Sequence, residues 1–251
     1  MEDLQEVAQS VRRILQLKSG PIAVKIIHLN EDTPVLFNRP ETPLPSLCFA
    51  LLEAFKGKGL YLEKRDLKCR LGLMALGFKG ESQPSPRNKQ PVQMGIFGSQ
   101  QAAQHYFDTG HHLPAGKTKA IALSPLEKAV MGVDVVLLRV TSEQAMWLLS
   151  AHQYLSGEHL QPSLGTGYQG VCGNVIAYPY LTQKMNLTIN GVGDRLAGVM
   201  GKSDLFIGIP RSLMKDIVLN LQEIYRKPIF KIHQSSRTFQ KATSSRSGHR
   251  P

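Results

Sequence analysis

Residues 134–157 read DVVLLRVTSEQAMWLLSAHQYLSG, an almost unbroken apolar run that turns at Thr141-Ser142 into a helical pattern. The run is too short for a buried helix and is rich in β-branched residues, so it predicts a strand covered on both faces, central in a sheet. Thr141 or Ser142 opens a capping box, and the apolar positions that follow recur at helical spacing up to a stop at Gly157. Trp147 falls among those positions and reads as packing.

Outward from this pair, KAIALSPL (119–126), MNLTING (185–191) and DLFIGIP (204–210) read as strands, and RSLMKDIVLNLQEIY (211–225) reads as an amphipathic helix. On the other side, residues 2–17 carry one apolar helical face, closed by Ser19-Gly20-Pro21, and IAVKIIH (22–28) reads as a strand. SLCFALLEAFKGKG (46–59) predicts a helix with Ser46 as N-cap, LYLEKRD (60–66) a strand, and CRLGLMALGF (69–78) a short buried helix. Helices alternate with strands, so the predicted class is α/β or a mixed α+β arrangement.

An internal echo suggests two similar halves, at about 20–110 and 117–225. RLGLMALG (70–77) resembles RLAGVMG (195–201), and the strand-like MGIFGS (94–99) resembles IGIPRS (207–212). Sites tend to form at the seam of such halves.

The formal charge of +11 is unevenly placed. Seven basic residues and no acid lie between Arg226 and Pro251, which leaves +4 on residues 1–225. The Ser-rich end cannot bury enough surface to offset its ordering entropy, so residues 226–251 read as a flexible basic tail on one globular domain, 1–225. Such a tail suits non-specific contact with nucleic acid. No apolar run reaches the roughly 20 residues of a membrane span, and the N-terminus lacks the layout of a secretory signal. The expected setting is the cytoplasm, with no membrane partner.

The chemistry expected of this chain centres on Cys48, Cys69 and Cys172. An odd number of cysteines in a reducing compartment is a poor disulfide framework. Each lies in a glycine-rich or apolar segment close to a predicted helix start, where free N–H groups favour a thiolate. Three thiolates suit a thiophilic metal ion or an iron–sulfur cluster with one open position. The spacings of 21 and 103 residues are far from a compact metal-binding motif, and inert buried thiols are the plain alternative.

A second constellation is Gly165-Thr-Gly167-Tyr-Gln-Gly170, which fits GxGxxG and precedes Asp194-Arg195. Glycines there let backbone N–H groups approach a phosphate, and Arg195, oriented by Asp194, suits a carboxylate or phosphorylated ligand. Pro162 makes the preceding segment a poor strand and Pro179 interrupts the following helix, so a plain loop is the better reading of the glycines. His111-His112 reads as a solvated loop pair.

The segments PIAVKII (21–27), SLCFALLEAFKGKGLYL (46–62), KCRLGLMALGF (68–78), 134–157 and 171–210 together resemble domain-of-unknown-function family 169, found mainly in anaerobic bacteria and archaea. The resemblance implies cysteines at the places of Cys48, Cys69 and Cys172, and often one more just before Gly-Asp-Arg, where this chain has Gly191. It implies no activity. The expectation is a metal or iron–sulfur protein of anaerobic redox or cofactor metabolism, acting with a small molecule or a redox partner. The alternative is a non-redox binding module using the glycine loop and Arg195.

Overall fold

The computed structural model describes residues 4–32, 37–80, 89–196, 198 and 201–233. Six strands form one antiparallel sheet: β1 (Ile22–His28), β2 (Leu60–Glu63), β3 (Thr118–Pro125), β4 (Val135–Thr141), β5 (Asn186–Thr188) and β6 (Asp204–Pro210), in the order β2-β3-β1-β4-β6-β5. Helices cover both faces, so the class is mixed α/β. The predicted central strand is β4, held between β1 and β6.

Alternation along each strand sorts the core into two layers. Ile22, Val24, Ile26, Leu137 and Phe206 face α2 (Leu47–Phe55), α3 (Arg70–Ala75) and an eight-residue π-helix, Gly170–Ala177. Ala23, Val136, Leu138, Ile207 and Ile209 face α1 (Leu4–Leu15), α6 (Ser142–Gln153) and α9 (Arg211–Arg226). The apolar run 135–140 is explained by this: β4 meets a helix layer on each side. The capping box at Thr141 is present, with its hydroxyl accepting from Gln144 N and the Gln144 side chain accepting from Thr141 N.

Read outward from the centre, each side of the sheet carries its first, third and second strand in chain order: β1, β3, β2 on one side and β4, β6, β5 on the other. The division between the two sets therefore falls between Pro125 and Val135, since β3 belongs with β1 and β2. In this scheme α2, and the π-helix with the short α7 (Tyr178–Thr182) after it, each precede a second strand, whereas α3 and α8 (Val192–Leu196) each follow one. The echo fails at 94–99. That segment is a turn after the short α4 (Gln90–Gln93), leading through Ser99 into α5 (Gln100–Asp108).

The folded part also runs beyond Arg226. Residues 228–233 are helical, Phe230 is buried against Trp147 with ring centroids 4.6 Å apart, and His233 meets Glu143 at 3.4 Å. Phe230 supplies the apolar surface that a charge-based reading of the segment overlooks. Residues 234–251, which hold most of the expected basic tail and its nucleic-acid contact, lie outside the described residues. No helix among the described residues is long and apolar enough to cross a membrane.

Candidate functional site

The three cysteines sit at the starts of three elements on one face of the sheet. Cys48 is the second residue of α2, whose apolar residues Leu47, Ala50, Leu51 and Ala54 are buried in the core. Ser46 occupies the N-cap position without a capping hydrogen bond from its side chain. Cys69 is the N-cap of α3, its Sγ accepting from Gly72 N at 3.4 Å. Cys172 lies in the π-helix, which starts after Gln169, a non-glycine residue in the left-handed region at φ 58. Residues held there and π-helical turns both concentrate at functional sites. The π-helix reaches its depth because β6 has a glycine beneath it: a Cβ on Gly208 would lie 2.1 Å from Val175 O.

All three thiols line one cavity of ≈ 330 Å³, together with Asp194, Gly72 and Gly191. A Cβ on Gly72 would stand 3.3 Å from Cys172 Sγ and 3.6 Å from Cys69 Sγ. Those two sulfurs are thus no more than about 7 Å apart, the span between thiolates on a cubane cluster. Cys48 Sγ donates to Asp194 Oδ1 at 2.7 Å, and Asp194 Oδ2 accepts from Gly191 N at 3.3 Å. Among the described residues, no group of three or more His, Cys, Asp or Glu side chains is placed to hold a single metal ion. Phe49, Leu71, Met94 and Ile96 supply much of the remaining wall, which is apolar.

That wall decides the chemistry of the thiols. Burial raises the pKa of Cys48 well above the ordinary thiol range, and the neighbouring Cys172 and Asp194 add to it. Burial does the same for Cys172, with Cys69 and Asp194 as the further causes. The expectation that helix starts favour thiolates is reversed at these two positions. Desolvation and crowding by like charges outweigh the first-turn N–H groups.

The family model for domain of unknown function 169, described as Uncharacterised ArCR, matches residues 10–220. This chain belongs to that family. It is also similar to an uncharacterized protein of Methanocaldococcus jannaschii, 22% identical over 221 residues, which covers 87% of this chain and 93% of the archaeal one. No solved structure matches this family member.

Gly191 of this family member directly precedes α8 as Cys69 precedes α3, and it too lines the cavity. A Cβ there would meet Thr166 O at 2.7 Å and Gly167 O at 3.2 Å, so the loop over the cavity closes on a glycine. A cysteine at 191 requires that loop to move.

The glycines of 165–170 serve packing. A Cβ on Gly165 would strike the Tyr106 hydroxyl at 2.5 Å, one on Gly167 the Phe97 ring at 2.8 Å, and one on Gly170 Asn190 Cα at 3.1 Å. Tyr106 OH donates to Tyr168 O at 2.6 Å and accepts from Tyr168 N at 3.2 Å, which pins the loop to α5. Gly167 and Gly170 line the cavity, and Gly165 faces a smaller neighbouring pocket. Of the expected pair, Asp194 reaches the site and Arg195 does not. The Arg195 guanidinium instead donates to the carbonyls of Ile189, ahead of α8, and of Gly201 and Lys202, beyond it.

His111 and His112 are also tied in, through Ser163 Oγ at 2.8 Å and Gln169 Oε1 at 3.0 Å. Gln169 reaches Leu71 O at 2.7 Å with its amide nitrogen, joining the loop to α3. Sequence reasoning missed Tyr106, Gln169, Met94 and Ile96. No local pattern pointed to them, since Tyr106 meets the glycine-rich loop only across 62 residues of chain.

Proposed function

We propose that this chain holds an iron–sulfur cluster on Cys48, Cys69 and Cys172 and uses it in redox or cofactor chemistry. The observation that supports this reading is the gathering of three thiols, 21 and 103 residues apart in the chain, around one ≈ 330 Å³ cavity. The volume is far larger than a lone ion needs, and it suits a cluster beside a small ligand.

Electrostatics favours the same conclusion. Cys48, Cys172 and Asp194 crowd one another in an apolar wall, which keeps the two thiols protonated. With a cationic centre bound, that repulsion would be relieved and Cys48 and Cys172 would hold it as thiolates, giving up their protons. Asp194, which already accepts the Cys48 hydrogen, is the base placed to receive one of them. Three cysteines would hold a cluster with one position left for an oxygen ligand or a substrate. Free thiols fit a reducing compartment, and the cytoplasm is the setting we assign.

The test is anaerobic purification of the full chain, followed by iron and acid-labile sulfide analysis and visible spectroscopy. A brown protein with both elements present is expected, and Cys48→Ser, Cys69→Ser and Cys172→Ser should each deplete them. A colourless, metal-free protein after cluster reconstitution overturns the proposal. The apolar walls favour one second reading, a small uncharged molecule in the same cavity without a metal. In that case the serine variants keep their ligand.

A further inference from the structure

The smaller pocket beside the cysteine cavity, ≈ 100 Å³, takes in His111 and Ser163. Tyr168 and Gln169 line both concavities. The volume is below the roughly 300–1,000 Å³ of whole-ligand sites, so the pocket suits a small group or the reacting end of a longer molecule. Among the described residues that line it there is no carboxylate, lysine or arginine. A group that enters is therefore uncharged.

Two of the lining side chains are paired. His111 Nε2 stands 2.8 Å from Ser163 Oγ, within the reach of a general base for the proton of a nucleophile. Both residues are half-buried. Each is also held from behind. Asn186 of β5, fully buried, accepts from Ser163 N at 3.1 Å and donates to Ser163 O at 2.9 Å, which fixes the serine backbone to the sheet. The His111 ring stands edge-on to Tyr178, with centroids 4.7 Å apart. Burial lowers the His111 pKa and the neighbouring His112 lowers it further, so the imidazole is neutral at neutral pH and able to take a proton. With the ring hydrogen on Nδ1, Nε2 accepts from the hydroxyl.

We propose that Ser163 and His111 form a nucleophile–base pair that hydrolyses short-chain carboxylic esters. Ser163 Oγ adds to the ester carbonyl carbon while its proton passes to His111 Nε2. The bond from that carbon to the alcohol oxygen then breaks, and the imidazolium returns the proton to the departing alcohol. Water, giving its proton to the same Nε2, attacks the acyl-serine and releases the carboxylic acid, and the proton goes back to Ser163 Oγ. Asn174, 8% exposed, lines the pocket with one amide hydrogen committed to Gly165 O at 2.9 Å. Its second amide hydrogen is the donor for the oxyanion. The assignment is independent of what the cysteines hold.

The test is hydrolysis of p-nitrophenyl acetate and p-nitrophenyl octanoate by the full chain, with acid-quenched samples digested and mapped by mass spectrometry. Acetate should turn over faster than octanoate, and the trapped acetyl group should lie on Ser163. Ser163→Ala and His111→Gln should each lose roughly 10²-fold or more of the acetate rate. A fluorophosphonate, which loses fluoride as its phosphorus bonds to an activated serine oxygen, should label Ser163 in the unaltered chain, a result that needs no variant to fold. Acetate hydrolysis no faster than with an equal concentration of free imidazole overturns the proposal. So does an unlabelled Ser163, or an unchanged rate in either variant. Faster turnover of octanoate overturns the short-chain assignment.

Discussion

Gly72→Ala separates the stability of the fold from the occupancy of the site. Gly72 lies inside α3 without a positive φ, so its backbone accepts any residue. Replacing a helical glycine by alanine stabilises by up to about 1 kcal/mol. The added methyl would lie 3.3 Å from Cys172 Sγ and 3.6 Å from Cys69 Sγ, so the nearer sulfur must give by a few tenths of an ångström. That strain offsets part of the gain. The metal-free variant should therefore melt level with the parent or about 2–4 °C above it.

The site should respond in the opposite direction. An iron bound by either sulfur must stand about 2.3 Å from it, and a methyl in contact with both sulfurs occupies space on that side. If the proposed cluster is bound there, its affinity should fall roughly 10–100-fold, as it does when groups beside a ligand are changed. The assay pairs a melting curve of the metal-free protein with iron and sulfide content after anaerobic reconstitution. Full iron and sulfide in Gly72→Ala would show that no metal sits between Cys69 and Cys172. A variant that fails to fold would refute the packing argument itself.

Gly208→Ala should do the reverse, destabilising the protein by about 3 kcal/mol in urea titrations, since its Cβ would lie 2.1 Å from Val175 O and both partners are backbone held in a core. An unchanged midpoint would mean that the π-helix does not rest on β6 in solution. In the metal-free protein, Cys48 and Cys172 should resist iodoacetamide at neutral pH, read by mass spectrometry of the labelled peptides, because burial keeps both thiols protonated. Their folded pKa values lie above the unfolded one, so their contribution to stability is complete below the ordinary thiol pKa of about 8.5. It should be lost as pH rises beyond that value, when the unfolded thiols ionise and the folded ones do not. Melting temperatures that stay flat from pH 8 to about 10.5 would contradict this. Phe230→Ala should cost about 3 kcal/mol and shift the emission of Trp147, the single tryptophan, to the red.

Much of the fold was legible because its elements answer to local rules. The short apolar runs of 22–28 and 204–210, the helical spacing of 211–225 and the capping box at Thr141 depend on neighbours a few residues away. The π-helix was not legible as such, since its wide turn depends on Gln169 taking a left-handed backbone and on Gly208 lying beneath it from another strand. Arg195 looked like a ligand-binding group in sequence, and only the structure shows its guanidinium turned to the carbonyls of Ile189, Gly201 and Lys202.

By itself the amino-acid sequence determined the helix–strand order, a central strand apolar on both faces, and three cysteines worth considering together. Only the tertiary structure decided that those cysteines share a cavity, that Asp194 joins them, and that burial keeps two of them protonated. Local periodicity is set by residues one turn or one pleat apart. The distance between Cys69 and Cys172, and the dielectric around them, are set by strand pairing across most of the chain.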